Sequence, residues 1–290
     1  MVYKKYMIKL SKINKTFAQH QVLDELELEL KIGDRIALIG QNGAGKTTLI
    51  RTLLGQYTAE GQLSMFGLNP RQQRIEVLQK IGFVPQHSPP IQMSVGELVD
   101  FSAALSLTPM KDEVYALAGK LEFDIEEQAG KPFFKLSGGM KQKLLIALAL
   151  SKRPEFLIMD EPAANLDPAG RKAFFDELSL LPQKTTMLLS SHRVDELLPF
   201  INRIIEMDCG RIVHDKQFAG EIKAGKSLAC KIQITAEDEA ISKIFDSWKF
   251  TNGSNPGLYS GKLAEVDLMR FFNEIAQFSN LIKEIKMEAE

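Results

Sequence analysis

Residues Gly40–Thr47 read GQNGAGKT, and this motif indicates the fold class of the chain. They follow the apolar stretch Arg35–Ile39, which predicts a buried strand, and they lead into a helical pattern over Lys46–Leu54. The motif matches G-x-x-x-x-G-K-[ST], in which glycines let backbone N–H groups come close to phosphate oxygens. The helix that follows turns its positive end towards the same anion. The stretch therefore predicts a phosphate-binding loop in an α/β fold.

The polar side chains of this loop predict the nucleotide that it binds. We expect Lys46 to reach the β- and γ-phosphates of ATP and the Thr47 hydroxyl to ligate Mg²⁺. The predicted ATP-binding residues of the loop and of the helix start are Gly40, Gln41, Asn42, Gly43, Ala44, Gly45, Lys46, Thr47 and Thr48.

A second apolar stretch ends in two acidic residues. Phe156–Met159 is followed directly by Asp160 and Glu161. Desolvating paired carboxylates is costly, so their place at the end of a buried strand calls for a reason. We interpret Asp160 as a residue beside Mg²⁺ and Glu161 as the general base for the attacking water. From these residues alone, a strand that simply runs out into solvent remains an equal alternative.

The stretch Leu136–Met140 reads LSGGM at the start of a predicted helix. With this motif the sequence resembles the ATP-binding cassette (ABC) ATPases, and the likeness extends over roughly residues 7–220. In that family the loop caps the ATP held by a second, head-to-tail subunit. The resemblance therefore implies a dimer with two ATP molecules in its interface, where Ser137, Gly138 and Gly139 contact the ATP of the opposite subunit.

Four smaller matches follow the order of the family along the chain. By resemblance, Gln86 is the glutamine that touches Mg²⁺ and senses the γ-phosphate, and Asp167 is a contact to the opposite subunit. His192 resembles the switch histidine at the γ-phosphate, and Phe17 takes the place of the aromatic residue that stacks on adenine. The resemblance thus implies Thr47, Gln86 and Asp160 as metal ligands and Glu161 and His192 as catalytic residues.

The resemblance also implies a domain organisation. We expect a P-loop NTPase of the ABC cassette type over residues 1–224, with an antiparallel β subdomain and a helical subdomain at about 87–154. A fresh alternation of strand and helix patterns then begins, so residues 225–290 are predicted to form a small C-terminal α+β domain of the order β-α-β-α-β. Within it we expect a loop at Thr251–Gly257 and a second helix at Val266–Phe278.

Composition limits the partners and the compartment. The formal net charge of −1 argues against a nucleic-acid partner, which usually selects a basic surface. Two cysteines are too few for a disulfide framework. No stretch reaches the roughly 18 apolar residues that a membrane-spanning helix needs, and the start of the chain lacks a signal-peptide core. We therefore expect a cytoplasmic protein that reaches the inner face of the cell membrane through a partner.

Two functions remain open on this reasoning. The first is the Mg²⁺-dependent ATP-hydrolysing subunit of an ABC transporter, which couples ATP-driven dimer closure to a separate transmembrane permease and pairs with an identical or a different ATPase subunit. The alternative is a non-transport ABC ATPase such as an iron–sulfur cluster assembly ATPase, which the added C-terminal domain does not suit. Met140 and that domain resemble the exporter-like, ABC-2-type branch. The segment Ser190–Arg193, followed by Arg203–Glu206, resembles its copper-processing members. The cargo and its direction stay open.

Overall fold

The computed structural model describes residues 7–106, 109–191, 193–217, 227–235, 238–252, 257–264, 271, 275, 278 and 281–289. The chain divides into two compact units, residues 1–217 and residues 218–290.

Strands and helices alternate along most of the first unit. Its strands are β1 (Ile8–Phe17), β2 (His20–Leu30), β3 (Arg35–Ile39), β4 (Glu60–Met65), β5 (Ile81–Val84), β6 (Phe156–Asp160), β7 (Thr186–Ser190), β8 (Arg203–Asp208) and β9 (Arg211–Gln217). Its α-helices are α1 (Lys46–Leu53), α2 (Arg74–Leu78), α3 (Val95–Leu105), α4 (Lys111–Lys120), α5 (Ile125–Gln128), α6 (Gly138–Ser151), α7 (Pro168–Ser179) and α8 (Val194–Leu197).

Two sheets organise this unit. The larger has six strands in the order β5-β6-β7-β3-β8-β9, and its neighbouring strands run parallel except for β9, which is antiparallel to β8. The smaller is antiparallel, in the order β2-β1-β4. The predicted α/β class with an antiparallel β subdomain is thus confirmed. Parallel strands bring their carboxyl ends to one edge of a sheet, and ligands bind at that edge in open α/β folds.

The six-stranded sheet is covered on both faces, which explains its continuous apolar strands. All five residues of β6 are buried. Leu157 and Met159 belong to an apolar core that also contains residues of α3, α6 and α7. Phe156 and Ile158 belong to a second core, which contains residues of α1 and of the antiparallel sheet. A strand that faces an apolar core on each side cannot alternate polar and apolar side chains, so strands such as β6 are continuous apolar runs in the sequence.

The segment between β5 and β6 contains helices α3 to α6 around a core that includes the fully buried Phe133. Helix α3 begins with the capping box that the S-x-x-E pattern predicts. The Glu97 N–H donates to Ser94 Oγ at 3.3 Å, and the Ser94 N–H donates to Glu97 Oε2 at 2.8 Å. Both bonds satisfy backbone groups that a helix start leaves without a partner.

The second unit contains an antiparallel sheet. Its strands are β10 (Ser227–Ile234), β11 (Thr251–Asn252), β12 (Leu258–Ala264) and β13 (Ile282–Ala289), and its described helix is α9 (Glu239–Ser247). The strand order is β11-β12-β10-β13. Phe245 of α9 packs on Tyr259 of β12, with ring centroids 4.4 Å apart, and both belong to this unit's own apolar core.

Two sequence expectations for this unit differ in outcome. The stretch Thr251–Gly257 was expected to be a loop, but its first two residues form β11 because they pair antiparallel with Ser260 and Tyr259. The helix expected over Val266–Phe278 lies largely outside the described residues. In neither unit does the described part of the chain contain a helix with the length and apolar character that a membrane crossing requires.

Candidate active site

The phosphate-binding loop lies between the end of β3 and the start of α1, at the carboxyl edge of the six-stranded sheet. Gly40 has a φ of +145°, and a Cβ placed there would lie 2.3 Å from the carbonyl oxygen of Met207. Gly45 has a φ of +103°, and its Cβ would lie 2.8 Å from the carbonyl oxygen of Val22. Both glycines are therefore required by backbone conformation and by close contact with neighbouring strands.

The loop folds around the side chain of its own lysine. Lys46 is almost buried, and its ammonium donates to the carbonyl oxygens of Gly40 at 2.6 Å and of Gln41 at 3.1 Å. Lys46 is also the first residue of α1, so the cation and the positive end of the helix lie together. An anion at this position meets both.

A cleft beside the loop brings most of the predicted nucleotide site together. The predicted residues that line it are Asn42, Gly43, Ala44, Gly45, Lys46, Thr47, Thr48, Gln86, Asp160 and Glu161. Gln86 follows β5 and the two acids come from the end of β6, so the parallel sheet delivers all three to the edge where the loop lies. Val22 also lines the cleft. Sequence reasoning missed Val22 because no motif includes it.

Thr47 and Asp160 contact each other directly. The Thr47 hydroxyl donates to Asp160 Oδ2 at 3.0 Å, and Asp160 is only 3% exposed. Together with the amide oxygen of Gln86 they form a set of hard oxygen donors, which is the set that Mg²⁺ prefers. The residues present therefore fit a magnesium ion bound beside a nucleotide phosphate. Glu161 follows Asp160 at a φ of +52°, in the left-handed region.

Other predicted residues lie outside the lining of this cleft. Gly40 and Gln41 contribute carbonyl oxygens to Lys46 rather than lining the cleft. Phe17 is 40% exposed at the end of β1 and packs edge-on against Tyr57, with ring centroids 5.2 Å apart. His192 lies outside the described residues. The adenine-stacking role of Phe17 stays a prediction.

The LSGGM motif begins helix α6, and its residues are not among those that line the cleft in the described part of the chain. Ser137 caps the helix by accepting a hydrogen bond from the Met140 N–H at 3.2 Å. Ser137 and Gly138 are exposed. A Cβ on Gly139 would lie 3.0 Å from the carbonyl oxygen of Asn165, so this glycine lets the helix start approach the loop before α7 closely.

The predicted contact residue Asp167 is held within its own chain by a lysine that sequence reasoning missed. Lys143 of α6 is buried, and its ammonium lies 2.9 Å from Asp167 Oδ1. The hydrogen bond from Lys143 holds the pKa of the Asp167 carboxyl below its usual value. Asp167 precedes Pro168, the first residue of α7, so the pair ties the LSGGM helix to the loop before α7.

Comparison with known proteins gives relatives by sequence. The family model described as ABC transporter matches residues 23–164. A Nod factor export ATP-binding protein I from Cupriavidus metallidurans is 36% identical over 212 residues, and the match covers 71% of this chain and 69% of that protein. The phosphonates import ATP-binding protein PhnC from Caulobacter vibrioides is 30% identical over 237 residues, covering 74% of this chain and 89% of that protein.

Solved structures share the fold over about three quarters of this chain. An ATP-binding subunit of an ABC transporter has a TM-score of 0.67 at 22% identity and covers 73% of this chain and 90% of its own. A dimeric ATP-binding cassette bound to ADP and Pi has a TM-score of 0.64 at 22% identity, and the match covers 74% of this chain and 100% of that one. At these identities the structures show the fold, whereas the sequence relatives show the family. This chain belongs to the family of ABC transporter ATP-binding proteins.

Proposed function

We propose that this chain is the ATP-hydrolysing subunit of an ABC transporter and that it drives a membrane permease made by another polypeptide. The observation that carries the proposal is the convergence of Lys46, the Thr47–Asp160 pair and Glu161 in one cleft. Relatives named for Nod factor export and for phosphonates import support the transporter assignment and leave the direction open. None of those names points to iron–sulfur assembly.

Magnesium belongs to the proposed site. Thr47, Asp160 and Gln86 would hold the ion, which when bound neutralises charge on the β- and γ-phosphates. The protein's own part is to position the phosphates. The loop N–H groups and the Lys46 ammonium bind them in a partly closed cleft, where charges act more strongly than in bulk water.

Glu161 is the proposed general base. It follows the buried Asp160 and is one of the residues that line the same cleft as the phosphate loop. There it would orient a water molecule and accept its proton as the water attacks the γ-phosphate. His192 is proposed to contact the same phosphate, as in the family.

A second ATPase subunit completes the proposed site. The start of α6 is a helix N-terminus with exposed Ser137 and Gly138, and such an end attracts anions. The cleft of the same chain is lined by other residues, so we assign these two residues and Gly139 to the ATP of the opposite subunit. Asp167 is assigned to the contact between the subunits.

The permease contact is proposed on the loop between β5 and α3. Met93 in that loop is 38% exposed, while Ile91 is half-buried and packs against the apolar core of the helical segment. Substitution of Ile91 would therefore disturb the fold, and Met93 is the residue that offers apolar surface to a partner. Docking there would hold the chain at the cytoplasmic face of the cell membrane.

Nucleotide binding tests the assignment of the cleft. Lys46→Ala removes the cation beside the phosphates, so it should weaken binding of a fluorescent ATP analogue at least tenfold. The matched control is Lys80→Ala, which removes a surface ammonium that pairs with Glu155 and should leave the affinity unchanged. Equal affinity of Lys46→Ala and the parent protein would overturn the proposed site.

A further inference from the structure

A buried serine contacts both acids of the proposed active site. Ser190 is the last residue of β7, and its side chain is fully buried. It lies directly beside Asp160 in the pairing of β6 with β7. Its hydroxyl donates to Asp160 Oδ1 at 2.5 Å and accepts a hydrogen bond from the Glu161 N–H at 3.0 Å. A single hydroxyl thus binds the side chain of one acid and the backbone of the next.

The Asp160 carboxylate is held at both of its oxygens. Thr47 of the phosphate-binding loop donates to Oδ2, and Ser190 donates to Oδ1. Rotation of the carboxylate would break one bond or both, and a buried polar group that loses its hydrogen bond is destabilised. Ser190 therefore fixes the orientation in which Asp160 presents Oδ2 to Thr47.

The backbone of Glu161 has an unfavourable conformation that Ser190 stabilises. Glu161 has a φ of +52°, in the left-handed region that is unfavourable for a residue with a side chain. Its N–H lies 3.0 Å from Ser190 Oγ and 3.3 Å from the Ser190 carbonyl oxygen. This turn takes Glu161 out of the strand direction of β6, so it sets where the glutamate side chain leaves the sheet.

We propose that Ser190 is a positioning residue for ATP hydrolysis, whose hydroxyl fixes the metal-side acid Asp160 and the base Glu161 relative to each other. This positioning role rests on the proposed function, which assigns the roles of Asp160 and Glu161. Ser190 is not among the described residues that line the cleft. It acts through its neighbours and makes no contact with the nucleotide of its own.

Ser190→Ala tests the role by removing the hydroxyl alone. Loss of such an indirect contact commonly costs 10–100-fold in activity or metal affinity. We expect kcat to fall by about 10–100-fold while KM for ATP changes by less than about threefold, because the phosphate loop is intact. At equilibrium, the Mg²⁺ concentration that supports binding of a fluorescent ATP analogue should rise about tenfold, whereas binding without Mg²⁺ should not change.

Two further variants separate positioning from folding. Ser190→Thr keeps a hydroxyl on a side chain that strands accept well, and it should restore kcat to within a few-fold of the parent value. Ser151→Ala removes another buried serine hydroxyl, bonded to the Leu148 carbonyl oxygen at the end of α6, and should leave kcat and Mg²⁺ dependence unchanged. If Ser190→Thr fails to fold, the comparison of the two alanine variants still decides.

The outcomes distinguish this role from the proposed function. Parent-like kcat and parent-like Mg²⁺ dependence in Ser190→Ala, together with lost turnover in Glu161→Gln, would overturn the role of Ser190 and leave the active site in place. A lower unfolding temperature with unchanged kcat would also overturn it, since that result describes a structural serine. Parent-like turnover in Glu161→Gln would instead overturn the assignment of the base.

Discussion

Gly40→Ala is predicted to weaken nucleotide binding through the backbone alone. The substitution adds one methyl group and no charge, so it leaves the chemistry of Lys46 and of both acids unaltered. At a φ of +145° alanine is strained, and the new Cβ would lie 2.3 Å from the Met207 carbonyl oxygen of β8. That oxygen belongs to a strand of the central sheet and cannot move aside cheaply. The loop must therefore shift away from β8.

The magnitude follows from the strain that the loop relieves by moving. A conformation that only glycine adopts costs other residues about 1–3 kcal/mol. ATP binding requires the loop conformation of the parent protein, so the variant must take up the strained conformation again when it binds ATP. At 1.4 kcal/mol per factor of ten, this strain should lower the affinity for ATP by about 5–150-fold. The assay is an equilibrium titration with a fluorescent ATP analogue in Mg²⁺, with urea unfolding of the same samples as a check on folding.

Gly119→Ala is the matched control. Gly119 lies in α4 without a positive φ, and a Cβ there meets no atom within 4 Å other than the adjoining backbone of its own helix. Alanine should stabilise the helix by about 0.5–1 kcal/mol and leave the nucleotide affinity unchanged. Parent-like affinity in Gly40→Ala would refute the argument, because it would mean that the phosphate-binding conformation does not depend on this close contact.

Three further predictions concern other parts of the chain. Met93→Asp should lower permease-stimulated ATPase activity and leave the basal rate unchanged, while Ile75→Asp, at an exposed position of α2, should change neither rate. Equal loss of both rates in Met93→Asp would indicate misfolding instead of a lost permease contact. The hydrogen bond from Lys143 lowers the pKa of Asp167 from its usual 3.8. The pair therefore contributes all of its stabilisation above about pH 4, and this stabilisation is lost as the pH falls through the lowered pKa. Lys143→Met should flatten that acid limb in thermal unfolding, and an unchanged limb would speak against the pair. Burial raises the pKa of the Cys230 thiol to about 11, so a thiol reagent at neutral pH should label one cysteine in the native protein and two in denaturant; two fast reactions in native protein would contradict the packing of the second unit.

The strands of the central sheet were predictable because each is a short apolar run between loop signals. The bounds predicted for the strand Arg35–Ile39 are those of β3, and the apolar stretch Phe156–Met159 lies within β6. Strand β11 was not predictable in the same way. Thr251 and Asn252 form a strand only by pairing with β12, and a two-residue segment carries no periodicity of its own.

The residues of the candidate site also divide into those that contiguous motifs predict and those that only the pairing of distant segments reveals. Most of the loop residues and the two acids line one cleft, as the roles predicted from their contiguous motifs require. Ser190 and Lys143 bind residues that are distant in sequence. Ser190 and Asp160, for example, are 30 positions apart. One signal did exist, since a serine that ends the buried stretch TMLLS must find a hydrogen-bond partner. The identity of that partner comes from strand register, which the sequence alone did not supply.

Phosphate release by Glu161→Gln tests the assignment of Glu161 as the general base. The change keeps the shape of the side chain and removes the base, so phosphate release in Mg²⁺ and ATP should fall by about 100-fold or more. Binding of a fluorescent ATP analogue, measured on the same samples, should stay within about twofold of the parent value because the phosphate loop is untouched. Phosphate release close to the parent rate, with ATP binding intact, would contradict the account.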